Sequence, residues 1–264
     1  MNSFLFAVHD IRESFSHTQL WLWTGLQDIK LRYRRSALGP WWLTISTGIL
    51  VAAMGILYAG IFKHTISDYL PNFAVSYIFW IFFSGQINES ATAFTQFENI
   101  LKQTRIPLLS CVLRILTRHV IILLHNALII LIAFMIFGFK FSLNLIYFLP
   151  AFFIFLLFLL SISVAVGILC TRYRDMVQLI SSMLQILFFL SPILWKTEIL
   201  EHGAQSLIVR INPIFYLMET VRRPLFGLTI TFDLWNGALL CTAISILTSA
   251  FLFLKYRARI TYWL

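Results

Sequence analysis

Three arginines stand close together near the start of the chain, at Arg32, Arg34 and Arg35. Guanidinium groups bind phosphate oxygens in a bidentate geometry that an ammonium group cannot reproduce. Gly39-Pro40 follows them and must end any helix that carries them. The cluster is therefore either an anchor in the lipid headgroups or an attraction site for an anionic, lipid-linked substrate. The residue types alone leave both interpretations open.

Few other side chains have the type and position needed for chemistry. Glu89 lies in an otherwise uncharged run, and His125 and Asn126 lie in another. An ionisable group inside an apolar segment is a functional candidate. Glu89 can equally be hydrated near the inner surface, and His125 and Asn126 can bond a neighbouring helix.

The motifs of several enzyme classes are missing from the sequence. It has no Asp-x-Asp and no His-x-x-x-His, and its 3 cysteines include no CxxC pair. It also has no Gly-Lys dipeptide, and so no phosphate-binding loop of the Walker A type. General acid–base chemistry or metal binding would need clustered acids or histidines, which the loops do not supply.

The composition is that of an integral membrane protein. Of the 264 residues, 59% are hydrophobic and only 12% are charged, whereas soluble domains carry about 25% charged residues. The mean hydropathy is +0.84. Because a spanning helix needs about 20 apolar residues, the chain is long enough for several spans in a single transmembrane domain, residues 1–264.

The uncharged runs predict six membrane-spanning helices in an all-α fold. The predicted spans are approximately residues 41–62, 73–95, 118–139, 144–170, 176–195 and 234–254. Between the third and fourth spans the connection is short, which predicts a tight hairpin.

The distribution of Lys and Arg predicts the orientation. With six spans both termini share one side, and that side carries 14 of the 20 basic residues. We therefore expect both termini in the cytoplasm. The same asymmetry accounts for the basic isoelectric point of about 9.7 without a nucleic-acid partner.

Residues 17–35 and 97–106 are predicted as short helices on the cytoplasmic side. On a helical wheel of the first, Leu22 and Leu26 lie on the apolar stripe and Asp28 on the opposite face, as in an interfacial helix. The second presents Phe97, Ile100 and Leu101 at helical spacing. It is either a solvated loop helix or a docking element for a cytoplasmic partner.

Residues 196–233, on the outer side, contain two apolar pieces that are too short to span. Asn212-Pro213 separates them. Pieces of this length indicate re-entrant or interfacial helices, which would form either a lid over a pore or a surface cap.

Four motifs, in this order, resemble the membrane subunits of type-2 ABC exporters for polysaccharides, which are the O-antigen, capsule and teichoic-acid permeases. They are Leu-Arg-Tyr-Arg-Arg-Ser-Ala-Leu-Gly-Pro-Trp-Trp at residues 31–42, Tyr-Arg-Asp at 173–175, Ser-Pro at 191–192, and Asn-Pro at 212–213 followed by Arg222 and Leu-Phe at 225–226. The likeness covers residue 18 to the C-terminus, and the first motif is nearest to the O-antigen permeases. Pro40 departs from the pattern, since relatives often carry an apolar residue there.

The resemblance implies a homodimer that works with two copies of a separate ABC ATPase in the inner membrane of a bacterium. ATP and magnesium would bind to that partner, and this chain would hold no cofactor or metal and would not itself be an enzyme. The substrate would be a glycan linked to a polyprenyl diphosphate lipid, most simply an O-antigen chain. The pore would lie between the two permease copies.

The resemblance also assigns roles to residues of this sequence. The substrate entrance would comprise Arg32, Arg34, Arg35, Leu38 and Gly39. The helix that couples to the ATPase would contain Phe97, Glu98, Ile100, Leu101, Lys102 and Arg105. The outer gate would include Asn212, Pro213 and Arg222.

Aromatic side chains are the candidates for the pore wall. The chain has 26 Phe, 9 Tyr and 8 Trp, and aromatic rings offer sugars weak stacking surfaces over which a long chain can slide. The candidates are Tyr58, Phe79, Trp80, Phe82, Phe83, Phe188 and Phe189. Each of them can instead fill the helix bundle or face lipid.

Three other functions remain as alternatives. A polytopic enzyme acting on polyprenyl-linked sugars would need the clustered acids that the loops lack. A secondary transporter would show inverted repeats, and no convincing repeat is present. A permease of the same superfamily could carry capsule or teichoic acid instead.

Overall fold

The computed structural model describes residues 3–32, 34, 38–39, 41–104, 106–138, 142–195, 209 and 211–264. These residues form helices and connecting segments, without a strand. Short 3₁₀ helices at Thr95–Phe97 and Leu143–Tyr147 precede the fifth and seventh of the α-helices numbered here. The ten α-helices bounded within the described residues are α1 (Ser3–Ser16), α2 (Thr18–Arg32), α3 (Trp41–Ile61), α4 (Ile66–Ser90), α5 (Glu98–Gln103), α6 (Leu108–Phe137), α7 (Phe148–Arg172), α8 (Met176–Leu190), α9 (Pro213–Leu225) and α10 (Phe232–Trp263).

Five helices are long and apolar enough to cross a membrane, namely α3, α4, α6, α7 with the 3₁₀ turn before it, and α10. Helix α8 is apolar but has only 15 residues. The helical content and these five segments fit the predicted all-α integral membrane protein. Helix α8 corresponds to the fifth predicted span, residues 176–195.

Several helices extend further than the uncharged runs predict. Helix α4 begins at Ile66 instead of residue 73, because it accommodates Asp68 and Pro71 in its first turns, and it ends at Ser90 instead of residue 95. Helix α6 begins at Leu108 instead of residue 118, and α10 continues to Trp263. Helix α6, for example, includes Arg114 and Arg118, whose guanidinium groups pair with carboxylates of neighbouring helices, so a charge does not mark the end of the helix.

Helix α8 is shorter than the predicted span 176–195. The residue before a proline is disfavoured in the α conformation, and Ser191, which precedes Pro192, has ψ 150°. The helix therefore ends at Leu190, and the chain bends away over Ser191–Trp195.

Helix α4 is the central element of the bundle. It packs against α3, α6 and α7, and its aromatic side chains interlock with those of α7. Phe79, for example, has its ring centroid 6.1 Å from that of Phe155, and the rings of Phe82 and Phe155 are stacked at 5.9 Å. Helix α3, by contrast, is buried along one narrow stripe of small residues.

Helix α1 was not predicted as a helix. It packs against α6 and α10 through Ala7, Asp10 and Ser14, which are all fully buried. Asp10 accepts a hydrogen bond from the Nε of Arg257 at 2.8 Å. The cost of desolvating the carboxylate raises the pKa of Asp10, and the adjacent guanidinium opposes that rise. An ion pair thus fixes the start of the chain to its last helix.

The predicted interfacial helix 17–35 corresponds to α2 (Thr18–Arg32), which packs on α6. Leu22 and Leu26 are exposed, whereas Gly25 and Ile29 are buried against α6. Asp28, which the helical wheel places opposite the apolar stripe, also faces α6. The wheel could not show this contact, because it depends on the guanidinium groups that α6 presents to Asp28.

Candidate functional site

The basic corner comprises Arg32, Arg34, Leu38 and Gly39 among the described residues. Arg32 and Arg34 are exposed and Leu38 is about half exposed. Gly39 has φ +56°, a left-handed conformation that glycine adopts without strain. Arg35, also predicted for the entrance, lies outside the described residues. The corner therefore presents two guanidinium groups to the surroundings beside a sharp turn of the backbone.

The coupling segment, residues 95–103, contains the 3₁₀ turn and α5. It is shorter than the predicted helix 97–106, because Thr104 is extended with ψ 143°. Leu101 is only 8% exposed and Phe97 is half-buried, while Ile100 is 44% exposed. Leu101 thus belongs to the subunit's own core, and Ile100 is the apolar side chain of the predicted edge that is most available to a partner. Arg105 lies outside the described residues.

Glu98 and Lys102 form an exposed ion pair one turn apart on α5. The Nζ of Lys102 is 2.6 Å from Oε1 of Glu98. The hydrogen bond and positive charge of Lys102 lower the pKa of Glu98 below its usual value. The pair presents one charge of each sign beside Ile100.

An ionic network joins α2, α4 and α6 at the helix ends that the sequence predicts to be cytoplasmic, and we call it the inner network. Asp28 of α2 accepts two hydrogen bonds from Arg114 of α6, of which the one from Nε is 2.7 Å long. Arg118 pairs with both Asp28 and Glu89. The Nε2 of His119 is 2.7 Å from Oε2 of Glu89. Glu89 is therefore held by protein charges.

Two features of the sequence point weakly to the inner network. Glu89 interrupts an apolar run, so it needs a partner, and Arg114 and Arg118 are four residues apart on one helix face at a similar depth. Neither signal identifies Asp28, which is 86 residues from Arg114 in the chain.

A groove of about 370 Å³ lies between α4 and α8. Trp80, Phe188 and Phe189 line one part of it, and the Trp80 and Phe188 rings are 5.7 Å apart. Hydroxyl and amide groups line the end nearest to Glu89, where Ser181 donates a hydrogen bond of 2.9 Å to Asn88. The groove thus combines aromatic faces with hydrogen-bonding groups.

The structure divides the seven aromatic pore candidates. Phe79, Phe82 and Phe83 are buried between α4 and α7, where they contact phenylalanines of α7. They do not line the groove beside α8, because on a central helix an aromatic face is filled by the neighbouring helix. Tyr58 of α3 stacks with Phe62, the residue after that helix, and does not line the groove.

Helix α9, which lies in the predicted outer segment, packs against α4, α7 and α10. Asn212 caps it by accepting a hydrogen bond from the Ile214 amide, and the Nδ2 of Asn212 donates to Ser191 at 2.9 Å. Pro213 occupies the first helical position, where its missing N–H costs nothing. The first predicted outer piece, residues 205–211, lies outside the described residues except for Val209 and Ile211.

Arg222 holds α9 in place through a set of contacts that we call the outer clamp. Its Nη1 donates to the Ser76 hydroxyl at 3.1 Å and to the Pro192 carbonyl at 3.2 Å, and its Nη2 contacts Glu219. Both Arg222 and Glu219 are largely buried. The clamp joins α4, α9 and the bend after α8.

Known proteins similar to this chain are membrane transporters. The O-antigen export system permease protein RfbA of Myxococcus xanthus is 22% identical over 211 residues, which cover 80% of this chain and 81% of that protein. A protein of the same name from Klebsiella pneumoniae is 24% identical over 240 residues, 88% of this chain and 90% of that protein. The family model of the ABC-2 type transporter matches residues 19–226. Since that match covers most of its length, the chain belongs to the ABC-2 type transporter family.

Proposed function

We propose that this chain is the transmembrane subunit of an ATP-driven exporter that moves a polyprenyl-diphosphate-linked polysaccharide across the inner membrane of a bacterium. The observation that carries the proposal is the similarity to O-antigen export permeases over most of both chains. An O-antigen chain is the proposed substrate. Capsule or teichoic acid is the second candidate, because its permeases share the motifs of this sequence.

The working unit in this proposal is a homodimer with two ABC ATPase subunits. In α8 only Leu184 is buried, while Met183, Ile186 and Phe189 are more than half exposed. A second copy seated on this face would cover it and would close the groove beside α8 into a conduit. The conduit would run between the two copies, with ATP and magnesium on the partner subunits.

The substrate phosphates bind first in this proposal, at the basic corner. Arg32, Arg34 and Arg35 would bind the diphosphate through bidentate guanidinium contacts. The sugars would then pass along the groove, where Trp80, Phe188 and Phe189 offer stacking faces without fixed hydrogen bonds. Asn212, Pro213 and Arg222 would act at the exit.

The coupling segment provides the proposed contact with the ATPase. Ile100 would insert into a groove of the partner, and Glu98, Lys102 and Arg105 would set its orientation, since rim charges contribute specificity more than affinity. Phe97 and Leu101 would act from within the subunit by holding α5 against its core.

The proposed topology has six spans, including α8, with both termini in the cytoplasm. Single cysteines at Phe232 and Tyr262, which are both exposed, test it. We expect an impermeant thiol reagent to label Phe232→Cys from outside the cell and Tyr262→Cys only after the membrane is opened. Labelling of both positions from outside would contradict the proposed topology, in which five spans precede α10 and the C-terminus is cytoplasmic.

The function is tested by reconstituting the subunit with an ABC ATPase of the same genome in phosphatidylethanolamine and phosphatidylglycerol vesicles. We expect ATP to make a lipid-linked O-antigen glycan accessible to a glycosidase confined to the side opposite the ATPase. A hydrolysis-deficient ATPase is the matched control. The outcome that contradicts the proposal is a complex that hydrolyses ATP but transfers none of the O-antigen, capsule or teichoic-acid substrates.

A further inference from the structure

The inner network touches the coupling segment directly. The guanidinium carbon of Arg114 lies 4.5 Å from the centre of the Phe97 ring, at the point where the 3₁₀ turn passes into α5. Such cation–π contacts contribute about 0.5–2 kcal/mol, depending on desolvation. Thr24 of α2 and Ile100 of α5 also line a common cleft of about 110 Å³. A displacement of the coupling segment would therefore reach Arg114 and α2 at once.

The same network reaches the basic corner through α2. Asp28, which Arg114 and Arg118 hold, is one helical turn before Arg32, and α2 is continuous up to that residue. A helix moves as a rigid element over so short a distance. Whatever positions Asp28 therefore also positions Arg32 and the turn that carries Arg34.

Two glycines bring the helices of the network into close contact. A Cβ atom at Gly25 would lie 3.0 Å from the carbonyl oxygen of Arg114 and 3.0 Å from Cβ of Thr117. A Cβ atom at Gly85 would lie 2.7 Å from Cε1 of His119. Closely packed surfaces of this kind transmit displacement and do not absorb it. The backbone of α2 is thus seated on α6, and the His119 ring is seated on α4.

The charges of the network balance and are shielded from solvent. Two carboxylates face two guanidinium groups, and the side chains of the Arg118–Glu89 pair are 11% and 19% exposed. Exposed pairs such as Glu98–Lys102 contribute about 0–1 kcal/mol. A shielded network is more cooperative, because removing one member leaves its desolvated partners with only part of their charge compensation. Its members therefore hold α2, α4 and α6 together as one unit.

We infer that the inner network is the transmission element that fixes α2 to the coupling segment, so that motion imposed on α5 by an ATPase repositions the basic corner that receives the substrate phosphates. This inference rests on the proposed function for its partner and its substrate. Asp28, Glu89, Arg114 and Arg118 act in it as positioning residues, and none of them touches nucleotide or glycan.

The first test measures whether α2 and α5 move together. Spin labels at Lys30→Cys and Gln103→Cys, both exposed positions, are introduced into a background in which Cys111, Cys170 and Cys241 are replaced by serine. In the complete exporter we expect the same distance distribution with and without trapped nucleotide. In the Asp28→Asn variant we expect a broader distribution that shifts when nucleotide binds.

The second test measures communication with the entrance. Polyprenyl diphosphate alone is the probe, and stimulation of ATP hydrolysis is the readout. We expect Asp28→Asn to retain assembly and basal hydrolysis while its stimulation falls by about tenfold, within the usual range for coupling between sites. If Asp28→Asn does not assemble, Arg114→Lys, which keeps the charge but loses the bidentate geometry, replaces it.

The matched control is Asp10→Asn, which breaks the Asp10–Arg257 ion pair outside the network. We expect neither the label distances nor the stimulation to change in it. A nucleotide-dependent change in the α2–α5 distance of the native exporter, or an equal loss of stimulation in Asp10→Asn, would overturn the inference. A native exporter that polyprenyl diphosphate does not stimulate would contradict the proposed substrate instead, and the label distances would still decide the role of the network.

Discussion

The two ends of the subunit use arginine in different ways. At the inner end, Arg114 and Arg118 pair with carboxylates on two other helices, so every link joins separate elements. At the outer end, Arg222 pairs with Glu219 on its own helix and donates the remaining bonds to a hydroxyl and a backbone carbonyl. In the inner network several charged groups stabilise the contact between helices, whereas the outer clamp depends on the guanidinium group of Arg222.

This difference indicates what each end can tolerate. Losing one member of the inner network leaves partial compensation, because Arg118 has two carboxylate partners. Losing Arg222 leaves a buried carboxylate with only Arg223, whose Nε is 3.8 Å away, and frees the Pro192 carbonyl. We therefore expect the outer end to be the more fragile in stability and the inner end to be the more sensitive in function.

The largest effect is expected from Arg222→Ala. Breaking a buried ion pair by removing one partner costs about 3 kcal/mol or more, and this variant also releases the bend after α8. Thermal denaturation of the detergent-solubilised protein measures the loss. Arg223→Ala is the matched control, since Arg223 is more exposed and makes a longer contact. Equal losses in the two variants would contradict the outer clamp.

Glu89→Gln is expected to cost less, about 2 kcal/mol in the free energy of unfolding. The amide keeps the shape of the side chain and can still accept a hydrogen bond, but it cannot balance the charge of Arg118. The same denaturation measurement applies, with Glu13→Gln as the control, since the Glu13 side chain on α1 is 39% exposed. A loss larger than that of Arg222→Ala would reverse the proposed difference between the two ends.

Gly25→Leu tests the close seating of α2 on α6. Overpacking a contact without free space costs about 1–3 kcal/mol, and we expect a value near the lower end because α2 can shift outward. Gly60→Leu is the matched substitution, since nothing lies within 4 Å of a Cβ atom at Gly60. If both leucine variants had the same stability, α2 would not be held by close packing at Gly25.

The smallest effect on stability is expected from Ile100→Asp. Surface substitutions usually change the free energy of unfolding by no more than about 0.5 kcal/mol. We nevertheless expect its affinity for the ATPase to fall by about tenfold or more, as measured by pull-down at graded concentrations. Phe97→Ala should show the reverse order, with a larger loss of stability, because it removes the ring beneath Arg114. Unchanged binding in Ile100→Asp would remove α5 from the proposed partner contact.

The sequence predicted correctly those features that depend on composition or on a proline. Composition and uncharged runs predicted a helical membrane protein, and Asn212-Pro213 marked the start of α9 as the structure has it. The motifs predicted the ABC-2 family that the comparisons show. These features depend on local chemistry, which the order of residues records directly.

The sequence could not predict which helix face packs against another helix and which face is exposed. The helical wheel of α2 separates apolar from polar positions. It cannot show that Asp28 pairs with Arg114, which lies 86 residues further along the chain. In the same way, Phe82 and Phe189 are equivalent as residue types, yet one is buried against α7 and the other is 65% exposed. The interior of a membrane bundle and its lipid-facing surface have similar composition, so hydropathy does not distinguish them.

The short α8 has a consequence for the bilayer itself. Its 15 residues extend about 22 Å at a rise of 1.5 Å per residue, whereas the hydrocarbon core is about 30 Å thick. If α8 crosses the membrane as proposed, the lipids beside it must thin or the helix ends must draw headgroups and water inward. This hydrophobic mismatch would lie along the side of the groove, where the membrane would be locally compliant. Lipids with shorter acyl chains should relieve the deformation, so acyl-chain length should tune the rate of export.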